Sequence, residues 1–468
     1  MKNIFTPNNY SEALETLRTL FALPLEKMKP IIGDFQEQMH MGLAGKPGKL
    51  KMIPTYMNLP TGEEKGYSLA IDIGGTNLRV MIVKLPGKPG NPEIILSRKI
   101  ELSRADMSQD AHTLFAIIAR EVNLILLELE KLDNKIKNRI EKIEDVGFTF
   151  SYPVKMVNRK SGIIVALAKD LTAEGLLGED PFTLLFKELA AVPEQSRLYP
   201  LSVLKPAALL NDTVTELIYG AYLKSMENSE YKCRIGGIIG TGNNFALVLD
   251  IKDIPKFKDP AFSSGQMIIN MESGNFDADS LPKTIFDQRV DMNSSNPGFQ
   301  HLEKMIAGNY LGRITGEIIK ELIKTENLLH TKLDTREKID NFTCIHMSTL
   351  EAVYPANPEK ARELLAEIEI ENLSDHELNA IYEITALVST RAARIAAVNI
   401  GALIRFIDPE LQNKHTIAID GSVFGKYPGY KTKMLNALEE LFNKKADQIH
   451  LEYISDGSGI GAAIAAKC

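Results

Sequence analysis

The chain has 468 residues, 44% of them hydrophobic, which is enough for two domains that each bury a core. A formal charge of -7 gives no general attraction to phosphate polymers or anionic lipid, so composition argues against nucleic-acid and membrane-surface partners. Three widely spaced cysteines, Cys233, Cys344 and Cys468, form neither a disulfide framework nor a metal pattern, and no leader-like apolar segment opens the sequence; a cytoplasmic protein is expected.

Helical spacing of Leu14, Leu17, Leu20, Leu25, Met28, Ile32, Phe35 and Met39 predicts an N-terminal helical segment, broken near Pro24 and ended by the glycines at 42–48. Two short apolar runs follow, 67–73 and 78–83, too short for helices and rich in β-branched residues, so both read as strands. The turn between them is Gly74-Gly75-Thr76-Asn77. Glycine allows positive φ and close backbone approach, and Thr76 and Asn77 add hydrogen-bonding side chains, so the turn can cradle phosphate oxygens. A tight β-turn behind a structural Asp72 is the plainer alternative. The run 114–143 reads as a helix with a lysine-rich solvated face. Residues 146–153 then form a buried strand that ends at Ser151, and Lys169 stands on an apolar background as a surface lysine or a ligand group.

An apolar strand ends at Asn211-Asp212, and Thr213-x-x-Glu216 fits a capping box, which predicts a helix starting just after Asp212. The positive end of that helix favours an ionised Asp212, suited to act as general base for an alcohol; a redundant helix cap is the alternative. Residues 235–249 repeat the hairpin pattern around Gly240-Thr241-Gly242-Asn243-Asn244, so two similar half-molecules could face each other across a cleft. Neither turn ends in the Gly-Lys-Ser/Thr of a P-loop, and neither is a dinucleotide fingerprint. Farther on, Glu272 follows an apolar strand and Glu303 opens a helix. Residues 351–402 are mostly helical; Arg391 and Arg394 inside the apolar stretch 384–407 mark a buried helix rather than a membrane span. Strand 417–420 leads into Gly421-Ser422, and the glycine turn at Gly457-Ser458 opens an Ala-rich helix whose N-terminus suits an anion.

In order and over nearly the whole chain, these motifs resemble the hexokinase family. The resemblance is carried by 51–56, Asp72 to Asn77, 147–153, 211–214, 240–244, Asn270-Met271-Glu272, Asn296-Pro297-Gly298 with Glu303, 420–423 and 456–459. It implies an α/β fold of two actin-like, ribonuclease-H-like domains around a substrate cleft. The small domain would span 66–205, completed by 453–468, with 206–452 and the N-terminal 1–65 in the large one. The resemblance also implies transfer of the γ-phosphoryl group of ATP to the C6 hydroxyl of a hexose, most often glucose, by a monomer or homodimer.

Carried over residue by residue, the resemblance makes Asp212 the base, with Lys169 beside it in catalysis. Ser151, Lys169, Asn211, Asn244, Glu272 and Glu303 become the sugar-binding set. The nucleotide would lie on Asp72, Gly74, Gly75, Thr76, Asn77, Arg79, Gly240, Thr241, Gly242, Asp420, Gly421, Ser422, Gly457 and Ser458. Mg²⁺ would arrive with ATP, and Asp72 is the nearest carboxylate to it. Four positions depart from the family: Ala168 where it has Thr, Met156 for Gln, Ser273 for Trp and Arg313 for Glu. They bear on which sugar binds and how tightly. A sugar-sensing protein without activity and an actin-like ATPase are the rival functions for such a fold.

Overall fold

The computed structural model describes all residues except 1–3, 8, 76, 89, 133–142, 168–170, 228, 260, 261, 263, 264, 326 and 329–338. Two sheets organise the molecule, and they share one topology. The first runs Glu93–Glu101, Asn77–Pro86, Lys65–Gly74, Asp145–Phe150, Lys205–Leu210 across its width. The second runs Gln266–Asn270, Asn243–Asp250, Lys232–Ile239, His415–Asp420, Ile449–Tyr453, with the short strand Ile53–Pro54 added beyond Gln266–Asn270. In each, three consecutive strands pair antiparallel, and two later strands join parallel to the first. The repeated glycine turns are thus equivalent points of two copies of one architecture.

The helix after the fifth strand of each copy crosses to the other copy. Helix Asp212–Met226 follows the last strand of the first sheet but packs on the second sheet, against Lys232–Ile239. Helix Gly457–Ala465 follows the last strand of the second sheet but packs on the first, against Lys65–Gly74 and Asp145–Phe150. The two helices also pack on each other, between the sheets. Small residues make this possible. A Cβ on Gly236 would fall 2.5 Å from the backbone N of Leu217, one on Gly461 2.2 Å from the Thr215 carbonyl oxygen, and one on Gly147 2.1 Å from that of Ala462.

Three apolar clusters follow from this layering. Strand Lys65–Gly74 alternates: Leu69, Ile71 and Ile73 face an outer core with helices Ala111–Glu130 and Pro181–Ala191, and Ala70 faces the central layer. That layer is filled by Val214, Leu217, Ile218 and Tyr222 from one crossing helix, and by Ile460, Ala462, Ala463 and Ile464 from the other. The outer core of the second sheet takes in helices Tyr10–Phe21 and Leu25–Leu43 and the long helix Asp375–Ile407. Pro24 separates the first two helices. Arg391 of the long helix is buried, pairs with Asp287 through two 2.7 Å contacts and lies over the Phe21 ring. Among the described residues that helix is the one long and apolar enough to cross a membrane, and it is a core helix here. The expected helix over 114–143 is observed as Ala111–Glu130, ending at the cap Lys131, and residues 133–142 lie outside those described.

Candidate active site

The first hairpin pairs down to Gly74 opposite Asn77, which sets the polar turn at the end of the sheet. Gly75 takes φ 57°, a conformation that glycine adopts without Cβ strain. Ser151 follows the neighbouring parallel strand, and its N–H donates to the Ile73 carbonyl at 3.0 Å. A Cβ on Gly74 would lie 3.1 Å from Ser151 Oγ, so turn and serine share one corner. Tyr152 Oη donates to the Gly75 carbonyl at 3.1 Å. Thr76, Ala168 and Lys169 lie outside the described residues.

The second hairpin meets a third turn. A Cβ on Gly421, whose φ is 111°, would fall 2.4 Å from the Ile239 carbonyl, so the Asp420-Gly421-Ser422 backbone rests directly on the end of the second hairpin. Within that hairpin the Gly240 N–H donates to the Gly242 carbonyl at 2.9 Å. Thr241 and Ser422 are exposed beside each other's turn, and Asp420 accepts from the Gly421 N–H at 2.6 Å.

Asp212 is the first residue of its helix, and Asn211 is the cap. Asn211 Oδ1 accepts from the Thr213 N–H at 3.0 Å and from Thr213 Oγ1 at 2.7 Å, while Asp212 Oδ1 reaches the same N–H at 2.9 Å. This corrects the capping box expected from Thr213 to Glu216. The helix starts one residue earlier, which turns Glu216 inward, where it is fully buried. Its Oε1 accepts from Ser458 Oγ at 3.2 Å, and Oε2 lies where a Cβ on Gly457 would come within 1.9 Å. Burial above all, then the nearby Asp420, Asp212 and Asp72, pushes the Glu216 carboxyl well above its usual range. Asp420 is also raised, chiefly by burial. Arg79 pairs with Asp456, the left-handed residue (φ 61°) that precedes helix Gly457–Ala465.

Asn244, Glu272 and Glu303 meet on the other side. Asn244 Nδ2 donates to Asn270 Oδ1 at 2.8 Å and lies 3.4 Å from Asn211 Oδ1; Asn244 Oδ1 accepts from the Ser273 N–H at 2.9 Å. Glu272 Oε1 accepts from Asn270 Nδ2 at 2.9 Å, and Glu303 Oε2 accepts from the Asn243 N–H at 3.0 Å. All three are half-buried, so their polar atoms are held but reachable. Carboxylates and amides so arranged can accept from and donate to neighbouring hydroxyls of a sugar ring, with Asp212 at the junction of this group and the glycine turns.

Residues 13–222 match one sequence profile described as Hexokinase, and residues 234–468 match a second with the same description. Hexokinase-1 of Nicotiana tabacum is 33% identical over 95% of this chain and 88% of its own length. The chain belongs to the hexokinase family. Hexokinase-7 of Oryza sativa subsp. japonica is 32% identical over 97% of this chain and 96% of its own. Among solved structures, the hexokinase from Schistosoma mansoni complexed with glucose superposes with a TM-score of 0.82, at 27% identity over 98% of this chain and all of that one. The protein is therefore a hexokinase-type phosphotransferase that acts on a hexose, with the two-lobed actin-like fold.

Within this hexokinase the remaining departures occupy unlike places. Ser273 is fully buried under Asn244; Met156 lies half-buried on the two-stranded ribbon Val154–Asn158 with Ser161–Ile164; Arg313 is exposed, its guanidinium 5.7 Å from the centre of the Tyr310 ring. Sequence reasoning missed the inward turn of Glu216 and the contacts of Asn270. The cap preference of Asn211 was the available signal for the first.

Proposed function

We propose that this hexokinase transfers the γ-phosphoryl group of Mg·ATP to the C6 hydroxyl of glucose, with Asp212 as general base. The observation that carries the reading is the position of Asp212. It stands at the positive end of its helix, next to Asn211, whose Oδ1 lies 3.4 Å from Asn244 Nδ2, and its charge acts on Asp420 beside the third glycine turn and on Glu216 beside the fourth. Asp212 would take the C6 hydroxyl proton as that oxygen attacks the γ-phosphorus in line. Glucose as the hexose draws support from the Schistosoma mansoni enzyme.

The nucleotide would lie on the turns of Gly74 to Asn77, Gly240 to Gly242, Asp420 to Ser422 and Gly457-Ser458, with Arg79 reaching a phosphate. Asp72, Asp212 and Asp420 all lie close enough to act on the Glu216 carboxyl, and Asp212 and Asp456 act on Asp420, so a bare polyanion would meet acidic groups at this end of the cleft. A divalent cation carried on the phosphates would offset that repulsion. Among the described residues no group of three or more Cys, His, Asp or Glu is arranged to hold a metal ion directly. The donor set fits a cation held by phosphate and water, with Asp72 accepting from a bound water.

Sugar groups belong to both lobes in this reading: Ser151 to the small lobe, Asn244, Glu272 and Glu303 to the large one. We assign to the small lobe the first sheet through Leu210 and the crossing helix Gly457–Ala465, and to the large lobe the rest. A coupled assay over a hexose panel tests the reading. Hexose-dependent ADP release, fastest with glucose and lost on adding EDTA, is the expected result. ATP turnover independent of hexose would overturn it.

A further inference from the structure

Asn270 ends strand Gln266–Asn270 and is almost fully buried, 6% exposed, yet every polar atom of its side chain is used. Nδ2 donates to Glu272 Oε1 at 2.9 Å; Oδ1 accepts from Asn244 Nδ2 at 2.8 Å and from the Glu272 N–H at 3.3 Å. The direction of this chain is not arbitrary. An ionised carboxylate only accepts, so Asn270 must turn its NH₂ toward Glu272 and its oxygen toward Asn244. Asn244 must then turn its own NH₂ toward Asn270, which leaves its oxygen for the N–H of Ser273 at 2.9 Å and of Phe245 at 2.8 Å. The backbone is bound into the same arrangement: Glu272 has φ 57°, a left-handed conformation disfavoured for a non-glycine residue, and its N–H is one that Asn270 accepts.

From this network, resting on the sugar-site reading above, we infer that Asn270 is a positioning residue of the hexose site. In this role it acts through Asn244 and Glu272 rather than on the sugar or nucleotide itself. It anchors the Asn244 NH₂ and sets where the Glu272 carboxylate stands, so the two present a preset donor and acceptor pattern to the ring hydroxyls. Without it, the Asn244 NH₂ loses its 2.8 Å acceptor while the Ser273 and Phe245 N–H groups still hold its oxygen, Glu272 can change rotamer, and hexose binding must supply the ordering. The nucleotide turns take no part in these contacts, so the effect is confined to the sugar.

Asn270→Asp is nearly isosteric and keeps an acceptor for Asn244, but it sets a second carboxylate against Glu272. In this variant the hexose KM should rise about tenfold or more, while the ATP KM stays within about twofold and the melting temperature shows the fold intact. Asn270→Ala, which removes both contacts without adding charge, should raise the hexose KM in the same way. A hexose KM within about twofold of the unaltered enzyme in folded Asn270→Asp and Asn270→Ala, or ATP and hexose KM rising together, overturns the inference. Glu272→Ala separates the two levels of the argument. If it raises the hexose KM while both Asn270 variants leave it alone, the sugar site stands and the positioning role falls. If Glu272→Ala leaves the hexose KM unchanged, both fall.

Discussion

Asn243 donates its backbone N–H to Glu303 Oε2 at 3.0 Å, so the residue that closes the second glycine turn also holds a carboxylate of the proposed sugar set. Gly242 makes this link testable, because a Cβ there would come 3.0 Å from the same Oε2. Gly242→Ala should push the carboxylate off its donor. A hydrogen bond lost in this way corresponds to a rise of about two- to tenfold in hexose KM, read by initial rates at saturating ATP. A rise in ATP KM alone would mean that the carboxylate had not moved.

Asp212 offers a cleaner separation of binding from chemistry. Asp212→Asn keeps an oxygen for the Thr213 N–H, which Asp212 now accepts at 2.9 Å, and removes only the ability to take a proton. The kcat should fall roughly 100- to 10,000-fold, the range for loss of a general base, with hexose KM far less affected. A folded variant with near-normal kcat would remove Asp212 from the mechanism.

Parts of this molecule were legible because they depend on short stretches of chain. The hairpins were visible because Gly, Thr and Asn interrupt two apolar β-branched runs, and the observed register places Gly74 opposite Asn77 and Ile239 opposite Asn243. Arg391 inside an apolar run signalled a buried helix, and its Asp287 partner lies 104 positions away, beyond any local pattern. The crossing of the two fifth-strand helices was not legible, since it depends on which sheet each packs against. Glu216 was misread for a related reason. Its spacing from Thr213 fits a cap, but the cap is Asn211, and Glu216 faces the other crossing helix. Asn270 carried no signal beyond its place in a motif, because an amide at a strand end is compatible with a turn, a cap or a buried network.

Lobe closure follows from the division of the sugar set between two sheets that are joined through the crossing helices. On the proposed reading, hexose contacts from Ser151 on one side and Glu272 and Glu303 on the other would be made together by narrowing the cleft, which would also keep water from the phosphoryl group. The radius of gyration from solution scattering should therefore decrease at saturating hexose. An unchanged value would count against a site shared by both lobes.

Glu216 should leave a mark on stability as a function of pH. Its carboxyl is fully buried, Oε1 has the Ser458 hydroxyl, and Oε2 has no hydrogen-bond partner among the described residues. Burial first, then Asp420, Asp212 and Asp72, raises its folded-state pKa, so the native state holds this proton more tightly than the unfolded chain does. The sign follows from linkage. The contribution is fully present below the unfolded value of about 4.3 and is lost as pH rises through the higher folded value, where the carboxyl must ionise without a partner. Glu216→Gln keeps an oxygen for Ser458 and cannot ionise. Its melting temperature should therefore fall less than that of the unaltered enzyme between about pH 5 and pH 9. The two curves should separate by the several degrees that correspond to roughly 1 to 3 kcal/mol for a buried, unsatisfied polar group. Parallel curves over that range would show that Glu216 stays in one charge state in both folded and unfolded chains.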